Sequence, residues 1–192
     1  SWRLTVDGLV DRPLELSLEE LANRYGLQEQ YSVLTCVSNE VGGPLVGNSK
    51  WTGVPLREVL RDAGLREEVQ DLLLTAADGY SVTIRPEVAN DPSALLAIAQ
   101  NSELLTTAHG APCRLLVPRL YGMMNCKWLQ RIEAVSADRD GYWADRGWSD
   151  VATVRTQSRI DAVEPAGAAG RRSLVVGVAW AGDRGISRVE VS

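Results

Sequence analysis

Along this chain apolar residues recur mainly at every second position, in short runs broken by glycine, proline and aspartate, and only in places shift to helical spacing. Trp2 to Gly8 alternates and closes on Asp7-Gly8, which predicts a strand, and Leu14-Glu15-Leu16 predicts a short second one. Ser17 with Glu20 three residues on is a capping box, opening a helix that runs to about Tyr25 and stops at Gly26. Tyr31 to Cys36 predicts a strand, and Val37 to Ser49 a glycine-rich loop. Trp51 to Pro55 resumes before a helical pattern, Val54 to Leu60, with Pro55 at its start and Gly64 as its stop.

Asp71 to Ala76 and Tyr80 to Ile84 predict a strand pair turned at Asp78-Gly79. A helical stretch from Asp91 leads into a strand, Leu95 to Gln100, and Asn101-Ser102-Glu103 is a tight turn. Cys113 to Val117 is a short apolar strand. Its Arg114 must reach solvent, a carboxylate or a bound anion, because an isolated buried charge is costly. Trp128 to Val135 alternates again. Beyond Asp138, Tyr142, Trp143 and Trp148 sit among charges and glycines, followed by an extended Val151 to Ile160 and a linker from Pro165 to Gly170. Two further strands are predicted, Leu174 to Trp180 and Ile186 to Val191, around Asp183-Arg184-Gly185. Two strands cannot bury both faces, so they read as the opening of a β-sandwich whose other strands lie beyond residue 192.

Composition narrows the function. At 192 residues and 45% hydrophobic content the chain can bury a substantial core. With 25 acidic against 20 basic residues, a net charge of −5 and no basic run, nucleic acid is not expected as a partner. Neither a spanning apolar stretch nor a signal pattern is visible, so a soluble chain is expected. The cysteines, Cys36, Cys113 and Cys126, form no CxxC spacing, which argues against a disulfide framework or a cysteine-based zinc site. Cys36 stands out. It ends a strand and is followed by Ser38, Asn39, Gly42 and Gly43, where backbone amides are exposed and a ligand can approach.

The segments LTCVSNEVGG, WTGVPLREVL, AHGAPCRLLVPRLYG and CKWLQRIEAV, in this order and at this spacing, resemble the sulfite oxidase family of molybdopterin enzymes, most closely its bacterial branch. The similarity covers about residues 2 to 160, and GVAWAGDRGISRVEVS resembles the start of the immunoglobulin-like dimerisation domain of that family. The resemblance implies an α+β fold, a sulfite oxidase-type molybdopterin-binding fold of mixed sheets with short helices, followed by a partial immunoglobulin-like β-sandwich. It places an oxidoreductase domain at 1–160 and, at 161–192, a linker and the first strands of the sandwich.

It also implies a molybdenum-molybdopterin cofactor (Mo-MPT), with Cys36 as the catalytic position and the thiolate ligand of the metal. A soft thiolate suits such a centre, and the pterin's own sulfurs remove the need for a His/Cys cluster. The family's pterin and phosphate contacts fall on Asp78, His109, Arg114, Asn125, Cys126 and Lys127, with Arg114 and Lys127 able to neutralise a phosphate. Further family contacts would come from a stretch before Ser1. Without the flanking motifs, a strand-end cysteine is more often a packing residue, His109 a turn histidine and Asp78 plain turn chemistry. The thiols of Cys113 and Cys126 are read as packing groups, Cys126 meeting the cofactor through its backbone.

The function implied is oxygen-atom transfer to or from a small substrate, with electrons passing to a separate electron-transfer protein or domain, and a homodimer formed through the sandwich domain. A sulfoxide-type reductase of the same family and a non-catalytic binding domain are the alternative readings. Periplasmic or membrane-tethered extracytoplasmic placement is expected from the bacterial relatives. Two departures stand out. Glu40 and Val41 occupy the place of a basic pair after the cysteine, which argues against sulfite, and Arg119 replaces a glycine, so its turn must avoid a positive φ.

Overall fold

The computed structural model describes residues 1–40, 42–165, 172–182 and 184–191. One mixed sheet contains β1 (Leu4–Gly8), β2 (Leu14–Leu16), β5 (Asp71–Ala76), β6 (Ser81–Ile84) and β10 (Leu129–Val135), in the order β2-β1-β10-β5-β6. Only β1 and β10 run parallel, with Thr5 opposite Arg131 and Gly8 opposite Ala134. A second sheet orders β3 (Gln28–Thr35), β4 (Val46–Pro55), β7 (Leu95–Gln100) and β8 (Glu103–Leu104), with β9 (Arg114–Leu116) also pairing β7. A separate antiparallel ladder joins β11 (Gln157–Glu164) to β12 (Leu174–Trp180). These mixed sheets with few, short helices match the expected molybdopterin-binding architecture.

The helices follow their local chemistry. Ser17 Oγ accepts from the Glu20 amide at 3.2 Å and the Glu20 carboxylate accepts from the Ser17 amide at 2.8 Å, closing the capping box of α1 (Leu18–Tyr25). In α2 (Leu56–Ala63), Leu56, Val59, Leu60 and Ala63 share one face and are buried, and Gly64 ends the helix in the left-handed region. The principal core joins both sheets and the helices through Leu4, Leu56, Leu72, Leu96, Leu115 and Ile132, all fully buried. Each such side chain contributes about 1.5–3 kcal/mol through burial.

Several elements differ from the sequence pattern. The strand β4 starts at Val46, inside the predicted loop, because pairing with β3, Thr35 opposite Val46 and Tyr31 opposite Lys50, draws in Gly47-Asn48-Ser49. The helix expected from Asp91 lies instead at α3 (Pro86–Ala89). Asp91 Oδ1 accepts from both the amide and the hydroxyl of Ser93, at 2.8 and 2.6 Å, and this local turn competes with helix. The extended segment from Val151 packs on the body rather than entering a ladder at once: Tyr121 N–H donates to the Ala152 carbonyl and Val154 N–H to that of Arg119, each at 2.9 Å. Ile186 to Val191 forms no strand among the described residues; Ile186, Val189 and Val191 are exposed and no neighbouring strand pairs them. Val41, residues 166–170 of the predicted linker, and Asp183 of the predicted turn lie outside the described residues. Among the described residues no helix is long and apolar enough to cross a membrane.

Candidate functional site

Cys36 lies directly after β3, half-buried, where the chain leaves the second sheet. Its amide donates to the Leu45 carbonyl at 2.9 Å and its carbonyl accepts from the Asn39 amide at 3.1 Å. Asn39 Oδ1 accepts from the Leu45 amide at 2.7 Å, tying the loop across its base. The thiol is thus on a fixed turn. Its Sγ lies 3.0 Å from the Ser38 hydroxyl, which can donate to a thiolate. Arg159 of β11 donates to the Gly43 carbonyl at 2.8 Å, holding the far side of the loop.

Next to this turn runs the segment from Arg114 to Trp128. Gly122 faces the Thr35 carbonyl, where a side-chain carbon would stand in ordinary van der Waals contact at 3.4 Å, so this segment runs directly alongside the strand end. Beyond Gly122 opens a cavity of about 270 Å³, lined by Asp78, Tyr80, Arg114, Asn125, Lys127 and Trp128 among others. Gly110, at φ +100°, holds its two cations together: a side-chain carbon at that position would meet Lys127 Cβ at 2.9 Å and Arg114 Cβ at 3.1 Å.

Arg114 is the unusual group here. It is 6% exposed, and its guanidinium donates to the carbonyls of His109 (3.0 Å), Asn125 (3.2 Å) and Leu115 (3.4 Å), while packing 5.3 Å from the Trp51 ring centroid. Among the described residues it has no carboxylate partner. Burial pushes its pKa down to about 10, so it stays charged at neutral pH with an uncompensated desolvation cost. Lys127 adds a second cation, its Nζ 3.0 Å from the Ala108 carbonyl and 4.2 Å from the Trp128 ring centroid. Two cations in one small cavity fit a phosphate-bearing ligand.

The wall is held in an uncommon conformation. Trp128 has φ +50°, a strained backbone region costing about 1–3 kcal/mol, and its indole N–H is anchored on the Thr107 carbonyl at 2.8 Å. Tyr80 donates its hydroxyl to the Met123 carbonyl at 2.5 Å. From Tyr80, rings run through Tyr142 (5.6 Å) and Trp143 (5.1 Å, edge-on) to Trp148 (6.1 Å).

Of the residues singled out in the sequence, Asp78, Arg114, Asn125 and Lys127 line the cavity together. Asp78 Oδ1 also accepts from the Tyr80 amide at 3.0 Å, so turn chemistry and cavity placement coincide. Asn125 uses its side chain within the chain, accepting from the Val117 amide at 2.5 Å and donating to the Leu120 and Tyr121 carbonyls. His109 bonds Thr106 Oγ1 through Nδ1 at 2.8 Å and meets Arg114 only through its carbonyl. Cys126 is buried beside the cavity, and burial, reinforced by Asp78, pushes its thiol up to about 12. Arg119, in place of glycine, avoids a positive φ and pairs with Asp91 at 2.8 Å. The sequence reading missed Tyr80, Met123 and the cavity roles of Trp128 and Trp143; an aromatic beside a turn looks the same whether it packs or walls a pocket.

No three His, Cys, Asp or Glu side chains among the described residues group to hold a metal. A metal at Cys36 would therefore have to arrive on a group carrying most of its own ligands. A pterin dithiolene with a phosphate tail meets both conditions, the single thiol and the paired cations.

Comparison with known proteins agrees. The family described as oxidoreductase molybdopterin binding domain matches residues 1–143. The chain is 32% identical over 169 residues to nitrate reductase (NADH) 1 of Arabidopsis thaliana, covering 74% of this chain and 18% of that protein. A Brassica napus NADH nitrate reductase is 34% identical over 169 residues, covering 74% of this chain and 19% of its own length. The chain thus spans under a fifth of the curated relatives it matches. Its backbone resembles the sulfane dehydrogenase SoxCD of Paracoccus pantotrophus, with a TM-score of 0.76 and 24% identity over 95% of this chain and 54% of that one, a likeness of fold.

Proposed function

This chain belongs to the oxidoreductase molybdopterin binding domain family, within the sulfite oxidase and nitrate reductase group, and from that premise we propose that Cys36 is the protein's ligand to molybdenum in an oxygen-atom-transfer enzyme. The cofactor is molybdenum-molybdopterin. When bound, it supplies two-electron redox chemistry coupled to gain or loss of an oxygen atom by the substrate.

The chain's own residues do the rest. The Cys36 turn presents one thiolate on a loop fixed by Asn39, and Ser38 stabilises the charged sulfur. Arg114 and Lys127 hold the pterin phosphate, while Asp78 and the Trp128 ring shape the remaining cavity. Gly122 lines that cavity and faces the strand end that carries Cys36. His109 and Cys126, read in the sequence as further cofactor contacts, also position Arg114 and its strand: the His109 carbonyl accepts from Arg114, and the Cys126 carbonyl accepts from the Leu115 amide at 2.8 Å.

In this reading the electrons leave to a separate carrier protein or domain, and β11 and β12 open a second domain of immunoglobulin type. The relatives named as nitrate reductases act in whole chains far longer than this one, so the substrate is a matter for assay.

One observation carries the proposal: a buried arginine with no carboxylate partner among the described residues, beside a lysine, lining a cavity next to a strand-end cysteine. Metal and pterin analysis of purified protein tests it. Close to one molybdenum and one pterin per wild-type chain, with pterin largely lost in Arg114→Met, supports the assignment. Wild-type protein holding neither, after expression with ample cofactor, refutes it.

A further inference from the structure

A second and larger cleft, of about 730 Å³, opens one residue beyond Cys36, with Val37 in its wall. Met123 lines both this cleft and the cofactor cavity. The remaining described wall comes from Arg119 and Tyr121, from the irregular segment 148–156 and from residues just beyond β12.

Among the described residues its charges have a single sign. Every charged residue among the described lining is an arginine, Arg119, Arg155 or Arg184, in a protein whose net charge is −5. Arg119 is committed to Asp91 at 2.8 Å. Arg184 donates from Nη2 to Thr156 Oγ1 at 2.7 Å and from Nε to the Ala181 carbonyl at 3.2 Å, bonds that fix the guanidinium without neutralising it. Arg155 makes no ion pair among the described residues. The cleft therefore keeps two positive charges available for an anion.

Size and polarity decide what kind of anion. An inorganic oxyanion of three or four oxygens needs the space of only a few waters, each taking about 30 Å³ of liquid volume. A cleft of this size falls in the range of about 300–1,000 Å³ that holds organic ligands. Beside the arginines stand Trp148 and Val151, 46% and 64% exposed, with Met123 and Val37. A bare inorganic anion would leave that apolar wall wet.

We propose that this cleft binds an organic anion with an apolar or aromatic body, its acid group on Arg155 and Arg184 and its body against Trp148 and Met123. The proposal rests on the oxidoreductase reading of Cys36 and adds its substrate class. It makes the apolar wall, as well as the charge, a determinant of specificity.

Calorimetric titration of the full, cofactor-loaded chain with 2-naphthalenesulfonate, sulfate and nitrate tests it. Naphthalenesulfonate binds at least about tenfold more tightly than either inorganic anion. The double variant Arg155→Gln, Arg184→Gln loses about ten- to a hundredfold of that affinity. Trp148→Ala weakens naphthalenesulfonate by about tenfold and leaves sulfate unchanged. Unchanged melting temperature and molybdenum content show that each variant is intact. Equal affinity for naphthalenesulfonate and sulfate, or naphthalenesulfonate affinity unaffected by the double variant, overturns the proposal. Tight naphthalenesulfonate binding by a chain that holds no molybdenum would keep the cleft assignment and remove the oxidoreductase reading, so the two failures are separable.

Discussion

The two hollows that share Met123 carry the same kind of charge in opposite settings. In the cofactor cavity Arg114 is buried, its donors spent on three carbonyls, with its neighbours drawn from paired strands and hydrogen-bonded turns. In the cleft Arg155 and Arg184 are exposed, on irregular chain around Trp148 and beyond β12. A buried cation with a prebuilt shell suits a group that stays; exposed cations on a loose wall suit one that exchanges. On the two assignments proposed above, arrangement more than residue type separates cofactor holding from substrate capture.

Substitutions can break that contrast, the strongest at the point between the hollows. Cys36→Ser is expected to lower turnover by about 100-fold or more, since even groups behind a metal ligand cost about 10–100-fold. Its melting temperature should stay close to wild type, because among the described residues the Cys36 side chain hydrogen-bonds only Ser38 and the hydroxyl of serine can replace it there. Steady-state kinetics and a thermal melt check both halves.

Arg114→Met is expected to cost stability as well as cofactor. Three carbonyls lose their donor, and each unsatisfied buried group costs about 1–3 kcal/mol, so urea denaturation should show a loss of at least that size. The equivalent loss at Arg155→Met should fall within about 0.5 kcal/mol, the range of surface substitutions. Similar values for the two would erase the distinction drawn between the hollows.

Alkaline pH should weaken the fold through its buried thiols and phenols, those at the cofactor cavity among them. Burial pushes the Cys126 thiol and the Tyr80 hydroxyl each up to about 12, from ordinary values of 9.0 and 10.0. Both are neutral when folded, and a raised pKa means that their contribution is fully present below pH 9 and is lost as pH rises toward 12. Denaturation midpoints between pH 8 and 11 should fall, and Cys126→Ala should flatten the early part of that fall. A modest effect is expected at Arg119→Gly, which removes the partly exposed Asp91 pair, worth about 1 kcal/mol or less, and leaves molybdenum content unchanged.

Much of the first hollow was legible in the chain. The capping box at Ser17, the turn at Asp78-Gly79 and the stop at Gly64 are local signals, and each is where the residues alone place it. Arg114 inside an apolar strand had to reach solvent, a carboxylate or a bound anion; it is buried, and among the described residues no carboxylate pairs with it. What stayed hidden depends on distant partners. Val46 to Ser49 become strand only because β3 lies alongside, and Asp91 turns the chain where its spacing suggested helix. Ile186 to Val191 alternates without a neighbour to pair it. The cleft is assembled from segments that share no pattern, so no window of sequence could reveal its volume or the arginines gathered on its described wall.

The assignment of Cys36 as the metal's protein ligand is tested most directly by X-ray absorption at the molybdenum edge, comparing cofactor-loaded wild-type protein with Cys36→Ser. The account predicts that the variant's metal loses one sulfur neighbour, or that the variant fails to retain metal at all. An unchanged sulfur shell around a fully retained metal would contradict it.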